Sequence, residues 1–151
     1  MPGDDPRGQS EATGDKIVVV AGALIAAGRV LVAQRARPPE LAGQWELPGG
    51  KVGPEESEKA ALARELAEEL GVDVTVGSRL GADVALSDAM TLRAYLVTQT
   101  CDRRPVPHDH RALRWVAPTE FEQLDWVPAD RAWLPGLAAA LASTASRRES
   151  P

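Results

Sequence analysis

Apolar and polar residues follow one another along the 151-residue chain in blocks of changing period, and each period points to an element. Ile17 to Ala26 is almost wholly apolar and rich in β-branched residues, and after Gly28-Arg29 a second apolar run covers Val30 to Ala33. Such a pair predicts two strands joined by a short turn. Arg35 to Gly43 holds Pro38 and Pro39 and predicts an irregular loop leading into a short extended piece, Trp45-Glu46-Leu47, which Pro48-Gly49-Gly50 stops. The period then lengthens. Leu62, Leu66 and Leu70 form a stripe spaced by four, Ser57 suits an N-cap, Glu58 suits the positive end of a helix, and Gly71 suits a left-handed C′ position. A helix over residues 58 to 70 is expected.

Beyond it, Val72 to Val84, Met90 to Thr100 and Arg111 to Val116 carry strand signals, and Pro118 to Leu124 predicts a short helix. Trp133, Leu134, Leu137 and Leu141 have helical spacing, but Pro135-Gly136 falls among them and is expected to kink or break the helix. The mixed order of strands and helices predicts an α/β fold with a central mixed sheet and helices on its faces. Residues 1–15 are polar and Gly/Pro-rich and read as a disordered tail; the domain is expected over 16–142, with a frayed C-terminal tail over 143–151.

Composition narrows the function by exclusion. Apolar residues at 44% and charged residues at 26% are ordinary for one folded domain of this length. A formal charge of −5 argues against a broad nucleic-acid surface, which needs a basic stripe. Cys101 is the only cysteine, so neither an intrachain disulfide nor a Cys-rich zinc site is expected. The first residues lack the charged-then-apolar order of a signal peptide, and the longest apolar run is too short to span a bilayer. A cytoplasmic protein, monomer or homodimer, with no membrane role is expected.

The candidate chemistry lies between Gly50 and Val72. Glu65, Glu68 and Glu69 stand at i, i+3 and i+4 and so project from one side of the predicted helix. Three crowded carboxylates repel one another unless cations occupy the site, and hard oxygen ligands suit Mg²⁺ or Mn²⁺, which also bridge to phosphate oxygens. Gly49 and Gly50 free the backbone to approach a ligand.

The order Gly50, then Glu56 after five residues, Arg64 after seven more, and Glu65-Leu66-Ala67-Glu68-Glu69-Leu70-Gly71-Val72 resembles the Nudix box at every defining position. Chance agreement at all of them is on the order of 10⁻⁸ per chain. The resemblance implies a Nudix α/β/α sandwich carrying a loop-helix-loop. It further implies divalent metal held by the Gly49 carbonyl and Glu65, Glu68 and Glu69, with Gly50, Glu56, Arg64 and Gly71 supporting the motif. The implied reaction is attack of a metal-activated water on phosphorus. Glu65 or Glu68 could serve as the base, as could an acidic residue of the Asp109 loop.

Leu31-Val32-Ala33-Gln34-Arg35 and Trp45 through Lys51 are similar to the MutT-type subgroup, which cleaves nucleoside triphosphates to the monophosphate and pyrophosphate. By that likeness Arg35 meets substrate phosphate and Asp109 reaches the metal site from outside the box. Lys51 is a further substrate-binding candidate, and Trp45 could wall the base pocket. His108 and His110 are set aside as metal ligands because Mg²⁺ prefers oxygen, and Trp115, Trp126 and Trp133 are expected in the core.

Asp130 carries the base question. A carboxylate there accepts from the exocyclic amine of cytosine, and equally from the N1–H and N2–H donors of an oxidised guanine; as an alternative, it is an N-cap before Arg131. CTP, dCTP, their 5-methyl forms and 8-oxo-dGTP are the expected substrates. Other Nudix activities lose ground, since Val72 to Arg104 lacks the proline typical of ADP-ribose hydrolases and Tyr95 lies too far along for a dinucleoside polyphosphate hydrolase. A non-catalytic nucleotide-binding module would usually have lost a metal carboxylate, and none is lost.

Overall fold

The computed structural model describes residues 16–149, with side chains through 143. The expected N-terminal tail over 1–15 lies outside the described residues. Ile17–Ala26 (β1) and Arg29–Gln34 (β2) pair antiparallel through Ala26↔Arg29. The turn between them, Ala27-Gly28, has φ of 54° and 75°, the two-residue geometry whose twist matches the flanking strands. Trp45–Glu46 (β3) pairs with β2, and Gly49–Lys51 (β4) pairs antiparallel with β1. The extended piece ends before Pro48 as expected, but the glycines after it form a further strand that the sequence did not suggest. Pro48 separates two short strands, and the glycines continue as an edge on β1.

Val74–Ser87 (β5) and Met90–Gln99 (β6) form a long hairpin, β6 runs parallel to β1, and Ala112–Val116 (β7) closes on β2. Among the described residues these seven strands make one mixed sheet with β1 near its centre. The predicted helix forms over Glu58–Leu70 (α1), with Ser57 Oγ accepting from Ala60 N–H and Gly71 in the left-handed region at φ 72°.

Two apolar layers flank the sheet. Leu62, Leu66 and Leu70 pack with Val20, Leu24, Leu31, Tyr95 and Val97 on one face. On the other, Trp126, Trp133, Leu137 and Leu141 pack against Ala21, Ala23, Leu92 and Ala94. This is the expected α/β/α sandwich. Trp126 and Trp133 are buried, while Trp115 is half-buried against the α1 layer.

Pro118–Gln123 and Pro128–Trp133 are 3-10 helices, and Leu134–Glu149 (α2) follows. Pro135 therefore lies in the first turn of α2, where its missing N–H has no intrahelical partner to lose, and the interruption falls at the change from 3-10 helix to α2 between Trp133 and Leu134. α2 also continues past residue 142, through most of the segment assigned to a frayed tail. No helix of the described residues is long and apolar enough to cross a membrane.

Candidate active site

The loop between β4 and α1 is pinned by one carboxylate. Glu56 Oε1 accepts from Gly53 N–H at 2.8 Å and from Arg64 Nη2 at 2.9 Å, and its Oε2 accepts from Arg64 Nε at 2.6 Å. This forked pair holds the Glu56 carboxyl down at about 2, the Arg64 hydrogen bonds contributing most. Arg64 also donates to the Lys51 carbonyl at 3.2 Å, so helix, loop and β4 meet on one guanidinium.

Gly49 and Gly50 are glycines for different steric reasons. A Cβ at Gly49 would run into the carbonyl oxygen of Val20 on the paired strand, and a Cβ at Gly50 would run into the Glu65 carboxylate. The close approach of β4 to β1 at Gly49 and to Glu65 at Gly50 thus requires each position to lack a side chain.

The three glutamates share a side of α1 but not an environment. Glu65, with its side chain 17% exposed, accepts from Arg64 Nη1 at 3.1 Å, and Glu68, at 61%, accepts from the same nitrogen at 3.4 Å. Glu69 turns inward, and its Oε1 is buried with no hydrogen-bond partner. Burial pushes its carboxyl up to about 7; His110 opposes this, while Glu65, Glu46 and Asp109 add to it. Among the described residues no three acidic, His or Cys side chains converge as a metal-binding cluster, and Glu65 and Glu68 both accept from Arg64 Nη1.

The segment after β6 straps the C-terminal end of α1. His108 N–H donates to the Glu69 carbonyl and Val106 N–H to the Leu70 carbonyl, both at 3.0 Å. Arg103 Nε donates to the Gly71 carbonyl at 3.0 Å, and His108 Nδ1 lies 2.9 Å from the Glu68 carbonyl. Carbonyls that a helix end leaves unpaired are thereby satisfied. The same strap delivers Asp109, whose exposed carboxylate accepts from Arg37 Nη2 at 2.6 Å, and His110, whose Nε2 lies 3.0 Å from Glu46 Oε2. Burial disfavours charge on His110, but the Glu46 hydrogen bond and the Glu69, Glu46 and Asp109 carboxylates outweigh it and raise its pKa.

A cavity of about 450 Å³ opens here. Arg35, Lys51, Glu46, Glu69, Asp109 and His110 supply polar lining, and Leu47, Leu86, Met90, Leu92 and Val127 supply apolar lining. Of the residues singled out from sequence, Arg35, Gly49, Gly50, Lys51, Glu69, Asp109 and Asp130 reach it, whereas Trp45, Glu65 and Glu68 do not line it. Trp45 is a correction. Neighbouring residues of a strand face opposite ways, so with Glu46 in the cavity, Trp45 packs into the core cluster that contains Trp126. Glu46 and Arg37 were missed by the sequence reading. The alternation of β3 was the available signal for Glu46.

Asp130 is the one acidic or basic residue buried among the described residues, at 4% exposure. Its Oδ2 accepts from Leu47 N–H at 2.7 Å, and burial pushes its carboxyl up to about 7 against that hydrogen bond. The capping alternative is corrected. Val127 is the N-cap of this 3-10 helix, and Asp130, inside its first turn, reaches across to the strand-end backbone instead.

Residues 16–137 match the family model described as NUDIX domain. A provisionally named 8-oxo-dGTP diphosphatase 2 of Mycobacterium tuberculosis is 57% identical over 85% of this chain and 93% of its own length. The CTP pyrophosphohydrolase of Escherichia coli is 39% identical over 87% of this chain and 96% of its own. Among solved structures, the E. coli ORF135 protein superposes with a TM-score of 0.70 at 36% identity, covering 90% of this chain and 96% of that one. A MutT NUDIX hydrolase of Burkholderia pseudomallei superposes with a TM-score of 0.63 at 30% identity, covering 81% and 98%. With the box residues Gly50 to Val72 folded as loop and helix beside a cavity, this chain belongs to the Nudix family and is a Nudix hydrolase.

Proposed function

We propose that this protein is a Mg²⁺-dependent nucleoside triphosphate pyrophosphohydrolase that releases the nucleoside monophosphate and pyrophosphate. One observation carries the reading: a single cavity lined both by acidic and basic groups suited to a metal-bound triphosphate and by apolar residues around the buried Asp130. The relatives' names, 8-oxo-dGTP diphosphatase and CTP pyrophosphohydrolase, support the same substrate class.

The chain's donors fit a hard divalent cation. Glu69 Oε1 is buried without a partner, an arrangement costly to leave unmet, and the carboxylates of Glu65, Glu68, Glu69 and Asp109 with the Gly49 carbonyl are oxygen ligands of the kind Mg²⁺, or Mn²⁺, takes. When bound, the metal would lower the pKa of a water and offset charge building on the phosphate oxygens. Glu65 or Glu68 takes the proton of the attacking water, Arg64 keeping both carboxylates near the loop. Arg35 and Lys51 bind the phosphates, and the apolar lining excludes water from the base.

Asp130 reads the base, preferring donors on its edge: the exocyclic amine of CTP, dCTP and their 5-methyl forms, or the N1–H and N2–H of 8-oxo-dGTP, the latter a pool-sanitising activity in service of DNA repair. Pyrophosphate release from a panel of these nucleotides, with and without Mg²⁺, tests the proposal. Release of orthophosphate alone, or turnover in the presence of chelator, would overturn it. Asp130→Asn should change the ratio of kcat/KM between CTP and 8-oxo-dGTP, and an unchanged ratio removes the base-reading role.

A further inference from the structure

Glu46 is a half-buried carboxylate with a different donor on each oxygen. Oε1 accepts from Arg35 Nη1 at 2.9 Å, and Oε2 lies 3.0 Å from His110 Nε2. The three side chains are 15%, 31% and 7% exposed, respectively. Glu46 follows Trp45 in β3, which is registered against Ala33 and Gln34 at the end of β2, so the sheet itself sets Glu46 beside the residue that leaves β2. A carboxylate with each oxygen committed elsewhere cannot rotate without losing one contact, and His110, its side chain largely enclosed and its backbone flanked by the His108 N–H bond to Glu69 and the Arg111 N–H bond to Gln34, is the fixed end.

The other end is Arg35. A guanidinium carries five N–H donors. Arg35 gives Nε to the Arg37 carbonyl at 3.0 Å and Nη1 to Glu46, which leaves Nη2 without a partner among the described residues. Arg35 lines the cavity. A free carboxylate in this wall would repel a triphosphate, whereas one paired to the arginine fixes the fork in place before substrate arrives and spares the entropy of ordering a long side chain.

We infer that Glu46 is a positioning residue acting through Arg35: braced by His110, it holds the guanidinium with its free edge turned to a triphosphate in the cavity. This rests on the proposed phosphate role of Arg35, and the test separates the two. KM and kcat for CTP and for 8-oxo-dGTP are measured for Glu46→Ala, Glu46→Gln, Arg35→Ala and the two double variants. Far-ultraviolet circular dichroism and Tm are recorded for each.

The expected result is a rise in KM of about tenfold for Glu46→Ala with kcat within about threefold, the pattern of lost binding rather than lost chemistry. Glu46→Gln, which keeps an acceptor for the arginine, should recover part of the loss. In the Arg35→Ala background, either substitution should add less than about twofold, since the residue acts through a side chain already removed. If Glu46→Ala does not fold, the isosteric Glu46→Gln carries the same cycle. Effects of Glu46 and Arg35 that multiply in the double variants, while Arg35→Ala alone raises KM, overturn the positioning role and leave the phosphate reading standing. An unchanged KM in Arg35→Ala overturns both.

Discussion

Asp130 on the second 3-10 helix accepts the backbone N–H of Leu47, at the end of β3, at 2.7 Å, and so ties the C-terminal layer to the strand that carries Glu46. The tie is made by a buried carboxyl that ionises only near neutrality, burial pushing it up from 3.8 to about 7. Between those pH values the unfolded chain has released this proton and the folded protein keeps it, so stability from this group falls as pH rises and levels off above 7. Asp130→Asn removes the titration while keeping an acceptor for Leu47. Thermal unfolding from pH 4 to 8 should show the Asn protein gaining on the parent as pH rises, by on the order of a few kcal/mol at the top of the range. A difference independent of pH would contradict the burial of the charge.

Glu56 works in the opposite sense. Its carboxyl is held at about 2, chiefly by Arg64, against 4.5 in an unfolded chain. Stability from the pair is complete above 4.5 and is lost as pH falls through the interval to 2. Glu56→Gln should lower Tm at pH 7 and converge on the parent in acid, and the gap should shrink with added salt because Arg64 is partly exposed to solvent. Arg64→Lys should resemble Glu56→Gln, since an ammonium cannot reproduce the fork that grips both oxygens.

α1 was legible in the sequence because its signals are local. Ser57, the Leu62-Leu66-Leu70 stripe and Gly71 each act within a turn or two, and the structure places the helix over Glu58–Leu70 as expected. The spacing of Glu65, Glu68 and Glu69 was equally readable, but their unequal burial was not, because it depends on β4 and on the strap from Arg103 to His110. Glu46 and His110 are sixty-four positions apart and meet only through β2, β3 and β7. No period along the chain encodes that pair. Pro135 left the start of α2 open in the sequence, because an interrupted pattern looks the same whether the proline sits inside a helix or opens one.

Glu69→Gln should separate folding from chemistry. The buried Oε1 has no partner and the carboxyl is costly to ionise there, so the neutral amide should leave Tm without metal unchanged or higher. Turnover should fall by on the order of 10²–10⁴-fold. Divalent cation that binds the folded protein raises Tm by mass action, and titrating Mn²⁺ into parent and variant should show that rise in the parent and a much smaller one in Glu69→Gln. Equal Tm rises would remove Glu69 from the metal site.

Gly49 and Gly50, adjacent in β4, should respond differently to the same added methyl group. At Gly49 the new Cβ meets the Val20 carbonyl oxygen, part of the paired strand β1, and neither backbone can move without breaking the ladder from Val19 to Ala21. Gly49→Ala should therefore destabilise the fold by about 2–4 kcal/mol, or prevent it from forming. At Gly50 the obstacle is the carboxylate end of Glu65, which can swing aside. Gly50→Ala should keep most of the parent Tm yet lose activity, because the displaced carboxylate is one of the candidates for accepting the water's proton. Measuring Tm and kcat for both variants distinguishes the backbone clash from the side-chain clash. A Gly50→Ala protein with parental kcat would show that Glu65 need not stand beneath the glycine for the reaction.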